Sequence, residues 1–428
     1  MVAAPSSGAG KTSVTLALLR ALSQDGHPVR SVKLGPDYID PAFHAAATGR
    51  PALNLDAWAM DEAMQRAVLA GAGPLVIESA MGLFDGAGLA GTGSAADVAA
   101  RFDIPILLVM DCARAAQTLP ALVEGLVRHR PGLRFHGLVL NNVGSPRHAA
   151  LLEQAFEGKG LPPIRAMLPR RLGIALPSRH LGLVQAGETA LLTQKLNDLA
   201  EWLRESCLPD DLTGELEVPA GSLPPMLPRY DRISVARDDA FSFAYPHILE
   251  AWAKQGAMIQ FFSPLNDAPP PKADFIYLPG GYPELHAGKL AQSMNFMQGL
   301  RIAAQDTHIY GECGGFMVLG EVLMDAEGRA HPMAGLLKLT TSFQAPKLSL
   351  GYCTLKSAHG PLRGVWRGHE FHYSTQVAAD GAPLFTAKDA DGHDLAPMGL
   401  VNGRVSGSYA HIIAPAAGPA ASEGLSSP

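Results

Sequence analysis

Two short stretches of the sequence join residue types that can do chemistry. The first is APSSGAGKTS, positions 4–13, which contains Gly8-Ala9-Gly10-Lys11-Thr12. Glycines there let successive backbone N–H groups converge on phosphate oxygens with no Cβ in the way. Lys11 can reach the terminal phosphates, and Thr12 can take Mg²⁺ at the start of a helix whose N-terminus favours anions. The spacing departs from GxxxxGK[ST], because Pro5 occupies the position of the first glycine. A glycine-rich turn before a surface helix is the plainer alternative, and GKT at a strand-to-helix junction argues against it. The loop is therefore read as ATP-binding through Ser7, Gly8, Gly10, Lys11, Thr12 and Ser13.

The metal partners of such a loop belong at the ends of neighbouring strands. GPDYIDP (35–41) offers Asp37 and Asp40, and ESAMGLFDG (78–86) offers Glu78 and, seven residues later, Asp85. Mg²⁺ takes one or two carboxylates plus phosphate oxygens, so Thr12, Glu78 and Asp37 are the expected ligands. Asp37 and Asp40 could equally shape a turn. Lys33 could meet a phosphate or cap a strand edge. Asn141 and Asn142 end an apolar strand, where an amide could read a base edge or simply make a turn; Asn141 is carried as an ATP contact.

The second stretch, GECGG (311–315), sets Cys313 between glycines, after an apolar strand and before an apolar helix. This is the nucleophile-elbow pattern, in which a tight turn lifts the side chain above the sheet. A helix N-terminus would lower the thiol pKa and supply N–H groups to an oxyanion. A buried structural cysteine is the alternative, and the flanking glycines weigh against it. The thiol needs a base. His411 in GSYAHII follows a Gly-Ser turn, whereas His369 and His372 in GHEFHYS read as a packed strand pair. LPGGYPELH (278–286) places Gly280 and Gly281 just after a strand, where their N–H groups could face an oxyanion.

The elements that must hold these residues are α/β. Branched apolar runs at 29–34, 74–79, 104–111 and 135–143 alternate with helix-like segments at 12–24, 115–128 and 147–157. That alternation predicts a doubly wound parallel sheet, closed by a long helix over 187–207. Residues 208–230, rich in proline and polar residues without periodicity, are read as a linker. A second alternation starts at 232 and turns antiparallel beyond Gly351. The domains expected are 1–207, a linker at 208–230, 231–413, and a disordered tail at 414–428.

The 428 residues suit two cores, and 47% hydrophobic with 17% charged residues excludes a disordered chain. A formal net charge of −6, with no basic tract, excludes a general attraction to nucleic acid or anionic membrane. No apolar run nears the ~20 residues that span a bilayer. Four scattered cysteines without CxxC spacing suit a reducing compartment. A cytoplasmic protein is expected.

Taken together, APSSGAGKT, KLGPDYIDP, ESAMGLFDG, LPGGYPELH, YGECGG, GHEFHYS and GSYAH resemble the cobyrinic or hydrogenobyrinic acid a,c-diamide synthase family, in order from about Ala4 to Ile413. The resemblance implies a dethiobiotin-synthetase-like ATPase joined to a class I glutamine amidotransferase domain. It implies that Cys313 attacks the glutamine amide with His411 as base, and that the backbones of Gly281 and Gly314 hold the oxyanion. Ammonia would then displace phosphate from corrin acetates activated by ATP with Mg²⁺. Asp37, Tyr38, Ile39, Asp40, Glu78 and Asp85 would hold the metal, position the substrate or order the two amidations. In this family the loop tolerates the irregular spacing seen at Pro5.

Two departures stand out. Many such amidotransferases carry Glu two residues after the histidine, where this chain has Ile413; either the base lacks a third partner or a residue elsewhere supplies it, and a Cys–His dyad is expected. The opening strand holds little beyond Met1-Val2-Ala3-Ala4, as if a few residues were missing ahead of it. L-glutamine, ATP and hydrogenobyrinic or cobyrinic acid are the implied partners, with monomer and homodimer both open. A related amidotransferase on another tetrapyrrole such as nickel-sirohydrochlorin is the alternative enzyme. A partition-type P-loop switch is the alternative from another class, and it would have no use for YGECGG.

Overall fold

Strands buried on both faces must be apolar along their whole length, and the central runs of the first half are of that kind. The computed structural model describes residues 1–416, apart from 172, 174–177, 180–181, 184–190, 208, 214–215, 218–219, 222, 224 and 227–228. Its chain divides into two units, Met1–Trp58 with Glu62–Ser222, and Ala59–Asp61 with the chain from Leu223 onward.

In the first unit the strands are β1 (Val2–Ala3), β2 (Arg30–Leu34), β3 (Leu53–Leu55), β4 (Leu75–Glu78), β5 (Ile106–Asp111), β6 (Phe135–Val143) and β7 (Ile164–Pro169). They form a parallel sheet in the order β3-β2-β4-β1-β5-β6-β7. The connecting helices are α1 (Lys11–Gln24), α2 (Asp40–Thr48), α3 (Glu62–Leu69), α4 (Ala95–Arg101), α5 (Leu119–His129), α6 (Pro146–Phe156) and α7 (Leu192–Arg204). Strand β1 has two residues yet lies centrally, between β4 and β5, so the loop after it opens at the carboxyl edge where α/β sheets bind ligands. Local chemistry sets several helix starts. At α4, Ser94 and Asp97 form a reciprocal capping box that satisfies two otherwise free N–H groups.

Strands β3 and β7 escaped the sequence reading; β3 is only three residues long. The closing helix begins at Leu192 and ends at Arg204, and residues 187–190 of the range expected for it lie outside the described residues. It buries Leu196, Leu199, Trp202 and Leu203, while the Trp202 indole donates to the Pro169 carbonyl at 2.9 Å. Each such fully buried apolar side chain is worth about 1.5–3 kcal/mol.

The second unit follows a short antiparallel pair, β8 (Ser178–Arg179) with β9 (Gly182–Leu183). Its main sheet uses β10 (Arg232–Ala236), β11 (Met258–Phe262), β12 (Phe275–Leu278) and β13 (His308–Glu312). These are joined by β22 (Leu400–Asn402) and β23 (Val405–Ser408), in the order β11-β10-β12-β13-β23-β22. Only the β22–β23 pair is antiparallel. Helices α8 (Pro246–Lys254), α9 (Ala287–Gln292), α10 (Met294–Ala303) and α11 (Gly314–Leu319) accompany this sheet. The core over it gathers Phe241, Phe296, Phe316, Leu278, Leu290 and Leu300.

The remaining strands form two smaller sheets. One runs β15 (Ala330–Pro332), β14 (Val322–Met324), β16 (Lys338–Ser342), β19 (Thr375–Asp380). The other runs β21 (Asp394–Met398), β20 (Phe385–Asp389), β17 (Ser349–Ser357), β18 (Gly364–His372), β24 (His411–Pro415), and it is antiparallel throughout, as the alternation beyond Gly351 predicts.

Two expected boundaries shift. Strand β24 continues through Ala414 and Pro415, because Trp366 and Arg367 pair with them, so the folded chain passes the limit drawn at 413. Residues 417–428 lie outside the described residues. The segment expected as a linker is also partly packed. Pro209–Leu212 makes a short 3-10 helix with Pro209 and Leu212 buried, Met226 is buried, and Tyr230 stacks on Phe275 with centroids 5.4 Å apart.

Candidate active site

Each unit assembles one cluster of reactive groups at the carboxyl edge of its parallel sheet. In the first unit the loop after β1 leads into α1 through Gly10, whose φ of 96° suits glycine. A Cβ at Gly10 would also collide with the Asn141 side-chain amide. That amide donates to the Ala9 carbonyl at 3.0 Å, so Asn141, at the end of β6, braces the loop. Asn142 has φ 61° and ties to Asp111 at 2.9 Å.

Lys11 and Thr12 open α1 and reach toward β4. The Lys11 ammonium donates to the carbonyls of Ser6 at 3.1 Å and Met81 at 2.6 Å. Burial, reinforced by Lys33, lowers its pKa. The Thr12 hydroxyl donates to Glu78 Oε1 at 2.6 Å. Ser7 and Gly8 are exposed, whereas Ser13 is half-buried within α1.

Glu78 is the centre of this cluster and is fully buried. Strands β2 and β4 are register neighbours at Lys33 and Glu78, which places the two side chains together. The Lys33 ammonium donates to Glu78 Oε1 at 2.9 Å and to Asp40 Oδ2 at 2.6 Å. His44 Nε2 meets Glu78 Oε2 at 2.7 Å. His44 stands four residues after Asp40 on α2, hence on the same helix face. Burial opposes charge on Glu78, but Lys33, His44 and Thr12 overcome it and hold the carboxyl well below the usual carboxylate range. Burial also opposes charge on Lys33, yet Asp40 and Glu78 raise its pKa. Asp40 is pushed up to about 8, by burial first and then by Asp37.

The PDYID segment divides between scaffold and edge. Asp37 Oδ1 accepts from the backbone N–H groups of Ile39 at 2.8 Å and Asp40 at 3.0 Å, so it shapes the turn into α2. Ile39 is buried, Tyr38 and Asp37 are half-buried, and Asp85 is exposed with its Oδ2 accepting from Gly82 N at 2.8 Å. Lys33, Asp40, Glu78 and Thr12 therefore meet directly, while Asp37 and Asp85 accept from backbone N–H groups of their own loops. His44 was missed by sequence reasoning; its only signal was the four-residue spacing from Asp40.

The thiol cluster lies in the second unit. Cys313 joins β13 to α11 with φ 45° and ψ −101°, a strained backbone that non-glycine residues rarely adopt. Its N–H donates to the Ser408 carbonyl at 2.8 Å, which locks the elbow to β23. From Ser408 the chain leaves the parallel sheet and enters β24 at His411, three residues on. A Cβ added to Gly280 would collide with the His411 ring and lie 3.4 Å from the Cys313 Cβ, so the glycine, the ring and the elbow converge on one point. The same construction at Gly314 lies 3.1 Å from the Gly281 nitrogen, which places the two expected oxyanion backbones side by side.

Two properties of this cluster differ from the sequence expectation. Cys313 is only 4% exposed. Its thiol is pushed up, not down, by burial first and then by Glu284, against a weaker opposing bond from Gly314 N–H. A six-residue helix does not offset that desolvation. The second difference is Glu312, whose Oε2 lies 3.5 Å from His411 Nδ1. Glu312 is buried and also accepts from Tyr277 OH at 2.6 Å and from Ile412 N–H at 3.0 Å. The expected Cys–His pair thus has a carboxylate beside it, contributed from another strand, the alternative that the sequence left open. Ile413, in the position where many relatives of this domain class carry Glu, offers its carbonyl to His247 Nε2 at 2.8 Å. His369 and His372 are packed, as expected. His369 is opposite His411 in the β18–β24 register, and the His372 ring stacks on Tyr409 at 3.8 Å.

Chemically, the first cluster supplies a glycine-bearing loop at a helix start, two lysines and a hydroxyl–carboxylate pair. The second supplies a thiol, an imidazole and paired backbone donors.

Comparison with known proteins agrees with this division. Residues 1–184 match the CobQ/CobB/MinD/ParA nucleotide binding domain, and residues 232–418 match the CobB/CobQ-like glutamine amidotransferase domain. Proteins named hydrogenobyrinate a,c-diamide synthase are similar over nearly the full length. That of Brucella anthropi is 49% identical over 96% of this chain and 98% of its own. That of Rhodobacter capsulatus is 48% identical and that of Rhizobium meliloti 46%, each over 96% of this chain and 98% of its own. Among the described residues no helix is long and apolar enough to cross a membrane. With a nucleotide-binding unit and a thiol-elbow unit in the same order and at this level of identity, the chain belongs to the hydrogenobyrinate a,c-diamide synthase family.

Proposed function

We propose that this chain converts the a- and c-acetate carboxylates of hydrogenobyrinic acid to amides, with glutamine as nitrogen source and ATP as activator. The observation that carries the reading is the end-to-end relationship to the synthases, 49% identical across both units, in a chain that builds both clusters. The name of those relatives, hydrogenobyrinate a,c-diamide synthase, favours the metal-free corrin over cobyrinic acid.

In the second unit, Cys313 Sγ attacks the side-chain amide carbon of glutamine while His411 accepts the thiol proton. The N–H groups of Gly281 and Gly314 receive the oxyanion. As the C–N bond breaks, the imidazolium returns the proton to the leaving nitrogen, and ammonia departs. Water then hydrolyses the thioester to glutamate. Burial pushes the thiol up and so favours its neutral form, which makes a neighbouring base the route to the thiolate.

In the first unit the backbone of 7–13 and Lys11 cradle the ATP phosphates, with Asn141 holding the loop. A carboxylate is a poor electrophile; phosphorylation converts its oxygen to a leaving group, and ammonia then displaces phosphate at the carbonyl carbon. The residues present fit Mg²⁺. Thr12 Oγ1 and Glu78 Oε1, 2.6 Å apart, are hard oxygen donors of the kind this ion selects, with Asp37 as a further candidate. Bound there, the ion would neutralise phosphate charge. Lys33 and His44 keep Glu78 ionised and oriented, and Asp37, Tyr38, Ile39, Asp40 and Asp85 are the residues assigned to positioning the corrin.

Mass spectrometry of products from hydrogenobyrinic and cobyrinic acid, each with ATP, Mg²⁺ and glutamine, tests this directly. A diamide from hydrogenobyrinic acid is expected. Absence of any amide from either corrin would overturn the reading.

A further inference from the structure

We propose that Glu312 is the positioning carboxylate of the His411 base, taking the place that Ile413 leaves empty of acid. This rests on the Cys313–His411 reading given above. A catalytic imidazole needs one nitrogen free for the nucleophile and the other held, because the held nitrogen decides the tautomer and the ring orientation. On His411, Nδ1 faces Glu312 Oε2 at 3.5 Å. Nε2 faces the other way, 3.2 Å from the point a Gly280 Cβ would occupy, which is itself 3.4 Å from the Cys313 Cβ. The ring is thus set with one nitrogen toward the nucleophile and one toward a carboxylate.

Glu312 is held firmly enough to orient its neighbour. It is 2% exposed, its Oε2 accepts from Tyr277 OH at 2.6 Å, and its Oε1 accepts from Ile412 N–H at 3.0 Å. Those bonds come from β12 and β24, and Glu312 itself is the last residue of β13, so three strands fix its position. The residue directly precedes the nucleophile in sequence, so whatever displaces the elbow displaces the carboxylate with it. At 3.5 Å the contact is an ion-pair distance rather than a closed hydrogen bond, and catalytic contacts of that kind tighten when substrate binds. When Cys313 Sγ bonds to the amide carbon and its proton moves to Nε2, the charge created on the imidazolium is met at Nδ1–H by Glu312. When that proton passes to the departing nitrogen, the ring is neutral again. Glu312 itself exchanges no proton.

The usual third residue of this domain class would stand on β24 at position 413. Here that strand position is apolar, and its carbonyl is occupied by His247 at 2.8 Å. The carboxylate instead reaches the ring from the end of β13, a strand of the neighbouring parallel sheet.

The test is steady-state glutamine hydrolysis by the full chain, wild type against Glu312→Gln, with Cys313→Ala alongside. Glu312→Gln is expected to lower kcat on the order of 10²-fold, within the range a positioned base contributes, with KM for glutamine unchanged. A wild-type kcat in Glu312→Gln, or a loss confined to KM, would overturn the role of Glu312 while an inactive Cys313→Ala left the thiol reading intact. Full hydrolysis by Cys313→Ala would overturn the thiol reading itself. If Glu312→Gln does not fold, Glu312→Asp carries the test, since it draws the carboxylate back by one methylene. A several-fold fall in kcat at constant KM is expected there, and an unchanged kcat refutes the proposal.

Discussion

Replacing Lys33 by methionine should destabilise the first unit far more than a surface lysine change would. The Lys33 side chain is 5% exposed, Glu78 0% and Asp40 11%, and its ammonium touches both carboxylates, at 2.9 and 2.6 Å. At an effective dielectric near 20, the attraction at such distances is about 6 kcal/mol per contact, most of it offset by desolvation of the three groups. The net worth of the cluster is therefore small, but removing the lysine that bonds to both carboxylates strands them. Burial and Asp37 already push Asp40 up, and loss of Lys33, which opposes that shift, drives it further toward the neutral form. Glu78 keeps only the Thr12 and His44 contacts at 2.6 and 2.7 Å. An uncompensated buried charge costs about 3–5 kcal/mol, and at about 2–4 °C per kcal/mol for a unit of this size the melting temperature should fall by roughly 6–20 °C. The assay is thermal unfolding by circular dichroism without nucleotide, for Lys33→Met and for Lys33→Met/Glu78→Gln. The double variant removes the stranded charge and should recover at least about 2 kcal/mol. A Lys33→Met midpoint within about 2 °C of wild type, or a double variant no more stable than the single one, would refute the reasoning.

Cys313→Ala should abolish glutamine-driven amidation while amidation driven by an ammonium salt continues; loss of both with an intact fold would show that ammonia is not made separately. Lys11→Ala should abolish amidation with either nitrogen source, read as corrin amide formed per ATP consumed, and survival of the ammonium reaction would mean that the carboxylate is not activated by ATP. Burial holds the fully enclosed His247 imidazole down at about 4, against an ordinary value of 6.5. A histidine with a depressed folded pKa stabilises the fold above 6.5, and that contribution is lost as pH falls from 6.5 toward 4. At pH 5 the loss from this group is about 2 kcal/mol. Urea midpoints at pH 7 and pH 5 should show it, and His247→Gln should lose less over the same interval.

Both reactive stretches were legible before any fold was known, because each depends on backbone that only a local residue pattern can supply. Gly10 at φ 96° and the glycines around the strained Cys313 are requirements of the turn itself, and glycine spacing records them. The alternation of apolar runs and helices likewise specified parallel sheets, since strands covered on both faces must be apolar throughout. Short strands such as Leu53–Leu55 carried too few residues to show a period.

Partners across the sheet were a different matter. Lys33 and Glu78 are 45 positions apart and meet because β2 and β4 are neighbours in register. His411 lies 99 positions after Glu312 and reaches it only because β24 follows β23, whose Ser408 pairs with Glu312. The direction of the Cys313 pKa shift was hidden for the same reason, as a helix N-terminus is visible in sequence and the depth of burial around a thiol is not. The sequence by itself determined which groups can react, through local glycine, lysine and cysteine patterns. Strand order alone decided which carboxylate each of them faces and how much water is left between them, because those are contacts between residues that the chain keeps far apart.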